Sequence, residues 1–296
     1  MTNDASALFG VSPSESRSNI RAYSMPVGPW LTGPGDTFSV AALGVLADEA
    51  LGEAVSDHRP AGHWQVCIGL SLDSVGTLSV SSTDELVCTP DRTTSTDHGG
   101  LVHGFIATAE GDIVSFATGH YRFIEVSTSQ TISGEPPLDA SGWDDRRHNA
   151  GSLAELLQGT GTRHFNSFIS TLGADRGSAN SLGYLHGGIS LTAACLEAGA
   201  LISDDTLELS SVNAIYMRPL PASQEVAFHS KSLHQGRRLA IYEVSARDSA
   251  GRHALAAAVT FQDQKSGSVV RINQARQSRG AEISQIAPSG AEYMES

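Results

Sequence analysis

The sequence predicts an α+β chain built from two tandem copies of one unit, a long helix wrapped by a curved antiparallel sheet. Three observations predict it. A helical pattern followed by four strand-like stretches occurs twice along the chain. The spacing from helix to first strand is kept, since Asp48 precedes Ser71 by 23 residues and Cys195 precedes Met217 by 22. The composition, 40% hydrophobic and 17% charged over 296 residues, supplies a core for one large unit or two smaller ones and excludes a disordered chain.

Each element follows from local pattern. Residues 1–18 are rich in Ser, Asn, Asp and Pro and read as a disordered tail. A strand-like segment spans 20–30. Over 38–55, Val40, Leu43, Ala47, Leu51 and Val55 recur at helical spacing, and the run from Arg59 to Gly62 ends the helix. Strand-like stretches follow at 64–72, 78–88, 101–108 and 113–125, the last two joined by the turn Glu110-Gly111-Asp112. Residues 130–162 carry Pro136, Pro137, several glycines and the charged cluster at 144–147, and read as a linker with a short helix over 153–157. The second copy repeats the order: a strand-like segment at 164–172, a buried helix over 189–202, and strands at 207–217, 225–233, 239–246 and 253–261. Residues 264–296 read as a second disordered tail. The units are therefore 19–129 and 163–263. An exposed sheet edge is a liability, so two such units pair with each other. Two unrelated α+β domains are the plainer alternative.

Charge and cysteine content bound the function. Lys and Arg number 19 against 32 Asp and Glu, a net charge of −13, which argues against a nucleic-acid partner. Cys67, Cys88 and Cys195 form neither a disulfide scaffold nor a CxxC zinc site. The spacing of His58, His63, His98, His103 and His120 suits no zinc site, so no metal is expected. No run of about 18 apolar residues spans a membrane, and the first residues lack the apolar stretch of a secretory signal. The expectation is a soluble, cytoplasmic protein.

Residues 180–191 carry the chemistry-bearing motif: Asn180, five residues, His186-Gly187-Gly188, then a helix. This string resembles the hotdog-fold acyl-CoA thioesterases, nearest the phenylacetyl-CoA (PaaI-type) branch of the 4-hydroxybenzoyl-CoA superfamily. Tyr216-Met217-Arg218-Pro219 and Gly236-Arg237-Arg238-Leu239-Ala240 resemble two further family segments. Met25-Pro26-Val27-Gly28-Pro29-Trp30-Leu31 and Leu46-Ala47-Asp48 resemble a tandem type of the same superfamily. The similarity covers roughly 20–262 and implies a double hotdog, two units paired as an intrachain pseudo-dimer.

Departures from the pattern are complementary. Family members carry an acid nine residues after the motif histidine; here that position is Cys195. The first copy keeps an acid, Asp48, but Ser39 stands nine residues before it and no His-Gly-Gly precedes its helix. Hotdog dimers share a site across the interface, so the resemblance implies one complete composite site and one dead one. Asp48 would be base or nucleophile, the Gly187 N–H an oxyanion donor, His186 a thioester or loop contact, and Asn180 an orienting group. Gly188 and, by family position, Gln65 would touch substrate. Arg218, Arg237 and Arg238 are the candidate cations for coenzyme A phosphates. No cofactor is implied beyond the coenzyme A of the substrate, and a homodimer of double hotdogs is expected, as is a role in fatty acid metabolism.

Plainer readings stand beside these. Asp48 is either a solvated helix residue beside Glu49 or a partly buried acid, and its flank of Leu46, Ala47, Ala50 and Leu51 favours the second. His98-Gly99-Gly100 precedes a strand and lacks an Asn six residues back, so it is a decoy. Cys195 reads as core filler, and Trp30, Trp64 and Trp143 as core or groove lining. The alternatives to hydrolysis are a non-catalytic acyl-CoA-binding protein and an acyl-thioester hydratase.

Overall fold

A computed structural model describes residues 3–14, 21–32, 38–75, 85–125, 140–164, 167–173, 175–202, 206–263 and 270–271. The first copy comprises helix α1 (Asp4–Phe9), strands β1 (Ser12–Ser14) and β2 (Ala22–Pro26), a 3-10 turn at Pro29–Leu31, and a second at Val40–Ala42. The latter leads into helix α2 (Leu43–Ser56). Strands β3 (His63–Ser74), β4 (Glu85–Thr96), β5 (Gly99–Thr108) and β6 (Asp112–Glu125) follow. Helices α3 (Ala140–Asn149) and α4 (Leu153–Leu156) lead into β7 (Gly159–His164) and β8 (Ser167–Leu172), then a 3-10 turn at Arg176–Ser178 and helix α5 (Gly187–Gly199). Strands β9 (Leu207–Tyr216), β10 (Val226–Gln235), β11 (Leu239–Arg247) and β12 (His253–Asp263) complete the second copy, and β13 (Val270–Arg271) pairs with β6.

The fold is a double hotdog. Strands run in the order β1-β2-β4-β5-β6-β3-β9-β12-β11-β10-β8-β7, so one antiparallel sheet passes through both copies and wraps α2 and α5. The copies join where β3 pairs with β9, Leu70 opposite Ala214 and Leu72 opposite Val212. These four side chains are buried beneath the helices, as period-2 alternation dictates for a sheet with one face on a core. The helices meet at Gly44 and Gly188. A Cβ on Gly188 would lie 2.3 Å from the Gly44 carbonyl oxygen, so glycine is what lets the two backbones touch.

Four expectations need correction. The segment read as the tail 1–18 holds an ordered helix. Asn3 caps α1 by accepting the Ser6 N–H, Gly10 ends it at φ 68°, and Ala5, Leu8 and Phe9 are buried. A six-residue helix is not stable by itself; its stability comes from tertiary burial, which local composition does not reveal. The segment read as the linker 130–162 holds α3, α4 and β7, with residues 130–139 outside the described residues. Of the tail 264–296, Val270–Arg271 extends the sheet and the rest lies outside the described residues. The strand read at 78–88 begins at Glu85 among the described residues and continues to Thr96. Pro90 sits in it at a register shift, where a proline without an N–H is tolerated.

These corrections lengthen the repeat. An offset of 147 residues carries Ser12–Ser14 onto the start of β7 and Pro29–Leu31 onto Arg176–Ser178. The same offset carries Asp4–Phe9 onto a span containing α4 and Val40–Ala42 onto the first turn of α5. Gly10, at φ 68°, caps α1, and Gln158, at φ 53°, follows the Leu157 cap of α4, one residue past the position that the offset matches to Gly10. Beyond β3 the offset falls to 140, carrying Gly100 and its partner Tyr121 onto the paired Ala240 and Phe261. Each unit therefore begins with a short helix and a first strand in the segments that read as tail and linker, and that strand pairs with β2 or β8, which fall where strand-like segments were read at 20–30 and 164–172.

Candidate active site

A cleft of about 810 Å³ opens between the copies, within the range of small-molecule sites. Asp48 from mid-α2, Gln65 from β3, Asn180, His186, Gly187 and Arg218 all line it. The carboxylate comes from the first copy and the helix start from the second. Asp48 Oδ2 accepts the Gly188 N–H at 3.0 Å and lies 3.3 Å from His186 Nδ1. Its Oδ1 faces the Tyr121 hydroxyl at 3.2 Å, and that hydroxyl also donates to the Asp48 carbonyl at 3.0 Å.

The start of α5 is shaped for an electron-rich ligand. Its first amide, Gly187 N–H, has no hydrogen-bond partner among the described residues, and a helix N-terminus adds partial positive charge. A Cβ on Gly187 would lie 2.6 Å from Asp48 Oδ2 and 3.5 Å from the Cys67 Cβ, so only glycine leaves the approach open. The Tyr216 hydroxyl donates to the Gly187 carbonyl at 2.7 Å and anchors the turn. Asn180 Oδ1 accepts the N–H groups of Leu182 (2.9 Å) and Tyr184 (3.1 Å), which folds the loop and leaves its amide NH2 beside the cleft. Gln65 Oε1 is buried and has no partner among the described residues.

His186 is the electrostatic centre. It is 4% exposed and stands between two carboxylates, Asp48 at Nδ1 and Glu49 at 3.8 Å from Nε2. Burial works against its charge, but Asp48 and Glu49 outweigh burial and hold it above its ordinary value. Burial likewise works against the Glu49 charge, yet hydrogen bonds with His186, Ser6 and Asn3 hold its carboxyl below the ordinary value. A protonated Nδ1 cannot accept a hydrogen bond, so in that state the Gly188 N–H, 3.1 Å from Nδ1, serves Asp48 alone.

Several of these groups were not legible as site residues. Glu49 stands next to Asp48, and that adjacency is its only sequence signal. Ser6 Oγ and Asn3 Nδ2 each donate to Glu49 at 2.9 Å, so the segment read as a tail reaches the site. Tyr121 is a hydroxyl at an inward position of β6, on the face it shares with Ala117 and Phe123. Arg59 stacks on Trp64, 5.0 Å from its ring centre, where both line the cleft. Cys67 lines the cleft too, but burial and the Asp48 charge push its thiol far up, which keeps it from being a thiolate. Cys195 is buried and likewise pushed up by burial.

Three sequence-nominated residues lie elsewhere. The Gly188 N–H is spent on Asp48 and its Cα is pressed against Gly44, so the residue holds the helices together and does not line the cleft. Arg237 and Arg238 are exposed in the β10–β11 turn. That turn adjoins Gln262, which pairs with Glu208, whereas the cleft lies at Tyr216, eight residues along β9. At the rise of a strand this is roughly 25 Å; antiparallel pairing puts the turn at the far end of the sheet.

Among the described residues, no three His, Cys, Asp or Glu side chains converge as metal ligands, and no helix is long and apolar enough to cross a membrane.

Comparison with known proteins bears on the fold and on the C-terminal copy. Residues 176–262 match the family model described as the acyl-CoA thioesterase N-terminal domain. A comparison with curated proteins finds no match in sequence. Among solved structures, the chain is similar to a TesB protein of Mycobacterium avium subspecies paratuberculosis (TM-score 0.59, 9% identity, covering 88% of this chain and 98% of that one). It is similar to an acyl-CoA thioesterase II of Mycobacterium marinum (0.58, 9%, 89% and 99%). It is also similar to a hot dog fold protein of unknown function from Alicyclobacillus acidocaldarius (0.59, 8%, 90% and 100%). By fold the chain is a double hotdog, and by sequence its C-terminal copy matches an acyl-CoA thioesterase domain.

Proposed function

We propose that the chain hydrolyses an acyl-CoA thioester to free acid and coenzyme A at the cleft between its two copies. The observation that carries this reading is a carboxylate of one copy hydrogen-bonded to the first turn of the other copy's central helix, Asp48 Oδ2 to the Gly188 N–H at 3.0 Å. It sits beside a free helix-start amide at Gly187. The thioester oxygen takes that amide, where the developing oxyanion is stabilised by a fixed donor and the helix dipole.

Asp48 acts as general base. Gln65 Oε1, buried and unpartnered among the described residues, is the acceptor that orients the attacking water. The water oxygen bonds to the thioester carbon as its proton passes to Asp48. Collapse of the tetrahedral intermediate breaks the C–S bond, and the proton passes from Asp48 to the departing thiolate. Arg59 on Trp64, together with Arg218, meets the coenzyme A phosphates. The Asn180–His186–Gly187–Gly188 string supports a place near the PaaI-type branch.

Thiol release from a panel of acyl-CoAs, including phenylacetyl-CoA, tests the reading. Asp48→Asn is expected to keep acyl-CoA binding and lose turnover. A protein that binds acyl-CoA without ever releasing thiol is the non-catalytic alternative. A single turnover in ¹⁸O-water separates base from nucleophile, since label found in the Asp48 carboxylate would exclude the base role.

A further inference from the structure

The second copy contains a cavity between α4 and α5. In the first copy α1 lies against α2, and Asn3 and Ser6 seal the join by bonding to Glu49. The equivalent helix α4 does not seal onto α5. A half-open cavity of about 400 Å³ remains between α4, the β7–β8 hairpin and α5. Leu157, Phe168, Leu172, Ala193 and Leu196 give it apolar walls, and none of its lining residues also lines the composite cleft.

One carboxyl group lines this cavity. Glu197 is fully buried on α5, at the position that the 147-residue offset matches to Ala50 in the first copy. Its Oε1 accepts the Ser230 N–H at 3.1 Å, while Oε2 has no hydrogen-bond partner among the described residues. Burial pushes its pKa up against the pull of Ser170 and Ser230, and an apolar wall favours the uncharged form of a carboxyl group, which carries an O–H to donate. A buried donor without an acceptor is costly, and an anionic ligand would lose its hydration against apolar walls without a cation to pair with. The group that satisfies both is an uncharged oxygen acceptor on an apolar body. Glu197 lies ten residues beyond Gly187 on α5, about 15 Å from the proposed reaction centre at the helical rise.

We propose that this cavity is a second ligand site, separate from the composite cleft, for a compact uncharged hydrophobic molecule bearing one carbonyl oxygen, which accepts a hydrogen bond from the Glu197 carboxyl.

Binding to the full chain is measured by ligand-observed NMR titration with three probes of similar size: acetophenone, ethylbenzene and benzoate. Acetophenone is expected to bind about tenfold more tightly than ethylbenzene, the worth of one buried hydrogen bond, and benzoate is expected not to compete. Glu197→Met should erase the difference between the first two, and Glu197→Gln, which keeps an N–H donor, should retain it. Ala193→Phe, which fills the cavity, should abolish both. Coenzyme A should displace none of the bound probe. Three results would each overturn the site: no acetophenone binding at millimolar concentration, acetophenone binding by the Glu197→Met and Ala193→Phe variants equal to that of the wild type, or displacement by coenzyme A. Because the readout is binding without turnover, these outcomes are independent of whether the composite cleft hydrolyses thioesters.

Discussion

The two copies share a fold and differ where chemistry is concerned. Asp48 and Tyr121 face each other in the composite cleft; at the equivalent positions stand Cys195 and Phe261, both buried. His186-Gly187-Gly188 opens α5, whereas Ser39-Val40-Ala41 occupies the matching stretch before α2. Val40, Ala41 and Ala42 are buried in a 3-10 turn without a side-chain cap. Asp48 to Cys195 and Tyr121 to Phe261 exchange a polar group for a less polar one of similar volume, which cores tolerate well. His186 to Ser39 and the two glycines to Val40 and Ala41 change volume as well, and the valine and alanine side chains fill the space that the glycines leave open.

The largest expected effect tests that asymmetry directly. Asp48→Asn should lower kcat by ~10²–10⁴, the usual worth of a placed base, while Cys195→Ala should leave it unchanged in a thiol-release assay. The exchanged pair Asp48→Cys with Cys195→Asp should stay inactive, because no free glycine amide faces position 195. Recovered activity in that double variant would mean the halves are interchangeable.

A smaller effect separates the two ends of the sheet. Arg59→Ala should raise KM for acyl-CoA about tenfold, as loss of a charged hydrogen bond implies, and leave KM for the matching acyl-pantetheine alone. Arg237→Ala with Arg238→Ala should change neither. The reverse result would put the nucleotide at the far turn.

Smaller still is the contrast between the turns ending α1 and α4. Gly10→Ala places a Cβ at φ 68° and 2.9 Å from Pro26, so a loss of about 1–2 kcal/mol is expected. Gln158→Gly relieves a left-handed non-glycine residue and should gain up to about 1 kcal/mol by denaturant titration. Equal signs would show that the two turns are not equivalent.

The subtlest test is the pH dependence of stability. His186 is held above its ordinary 6.5, so its contribution is complete below that value and is lost as pH rises through the raised one. Glu49 is held below its ordinary 4.5, so its contribution is present above that value and is lost as pH falls through the lowered one. Thermal melts against pH should show both limbs. His186→Gln should flatten the alkaline limb, and Asn3→Ala with Ser6→Ala should move the acid limb to higher pH by weakening the bonds that hold Glu49 ionised.

What was legible in the sequence was whatever repeats locally. The helix periodicity of residues 38–55 and the alternation of the long strands survive translation into structure almost unchanged. So does the His186-Gly187-Gly188 string, because a short motif at a helix start carries its own geometry. The short helix α1 was illegible because six residues carry little periodicity and owe their order to Phe9 on Trp30, ring centres 5.6 Å apart, and to Arg147 holding the Ala7 and Leu8 carbonyls. Glu49, Tyr121 and Arg59 were illegible as site residues for a related reason. Their roles depend on which segments the sheet brings together, and a single sequence does not record that pairing. Arg237 and Arg238 were misplaced for the same cause.

The backbone ladder between β3 and β9 welds the two copies into one continuous sheet. In a homodimer every substitution is felt twice, once in each identical subunit, so neither site can change without the other. Here the halves are unlike and cannot exchange partners, and selection acts on each face alone. The same asymmetry stands along the two central helices, where Asp48 is matched by Cys195 and Glu197 by Ala50.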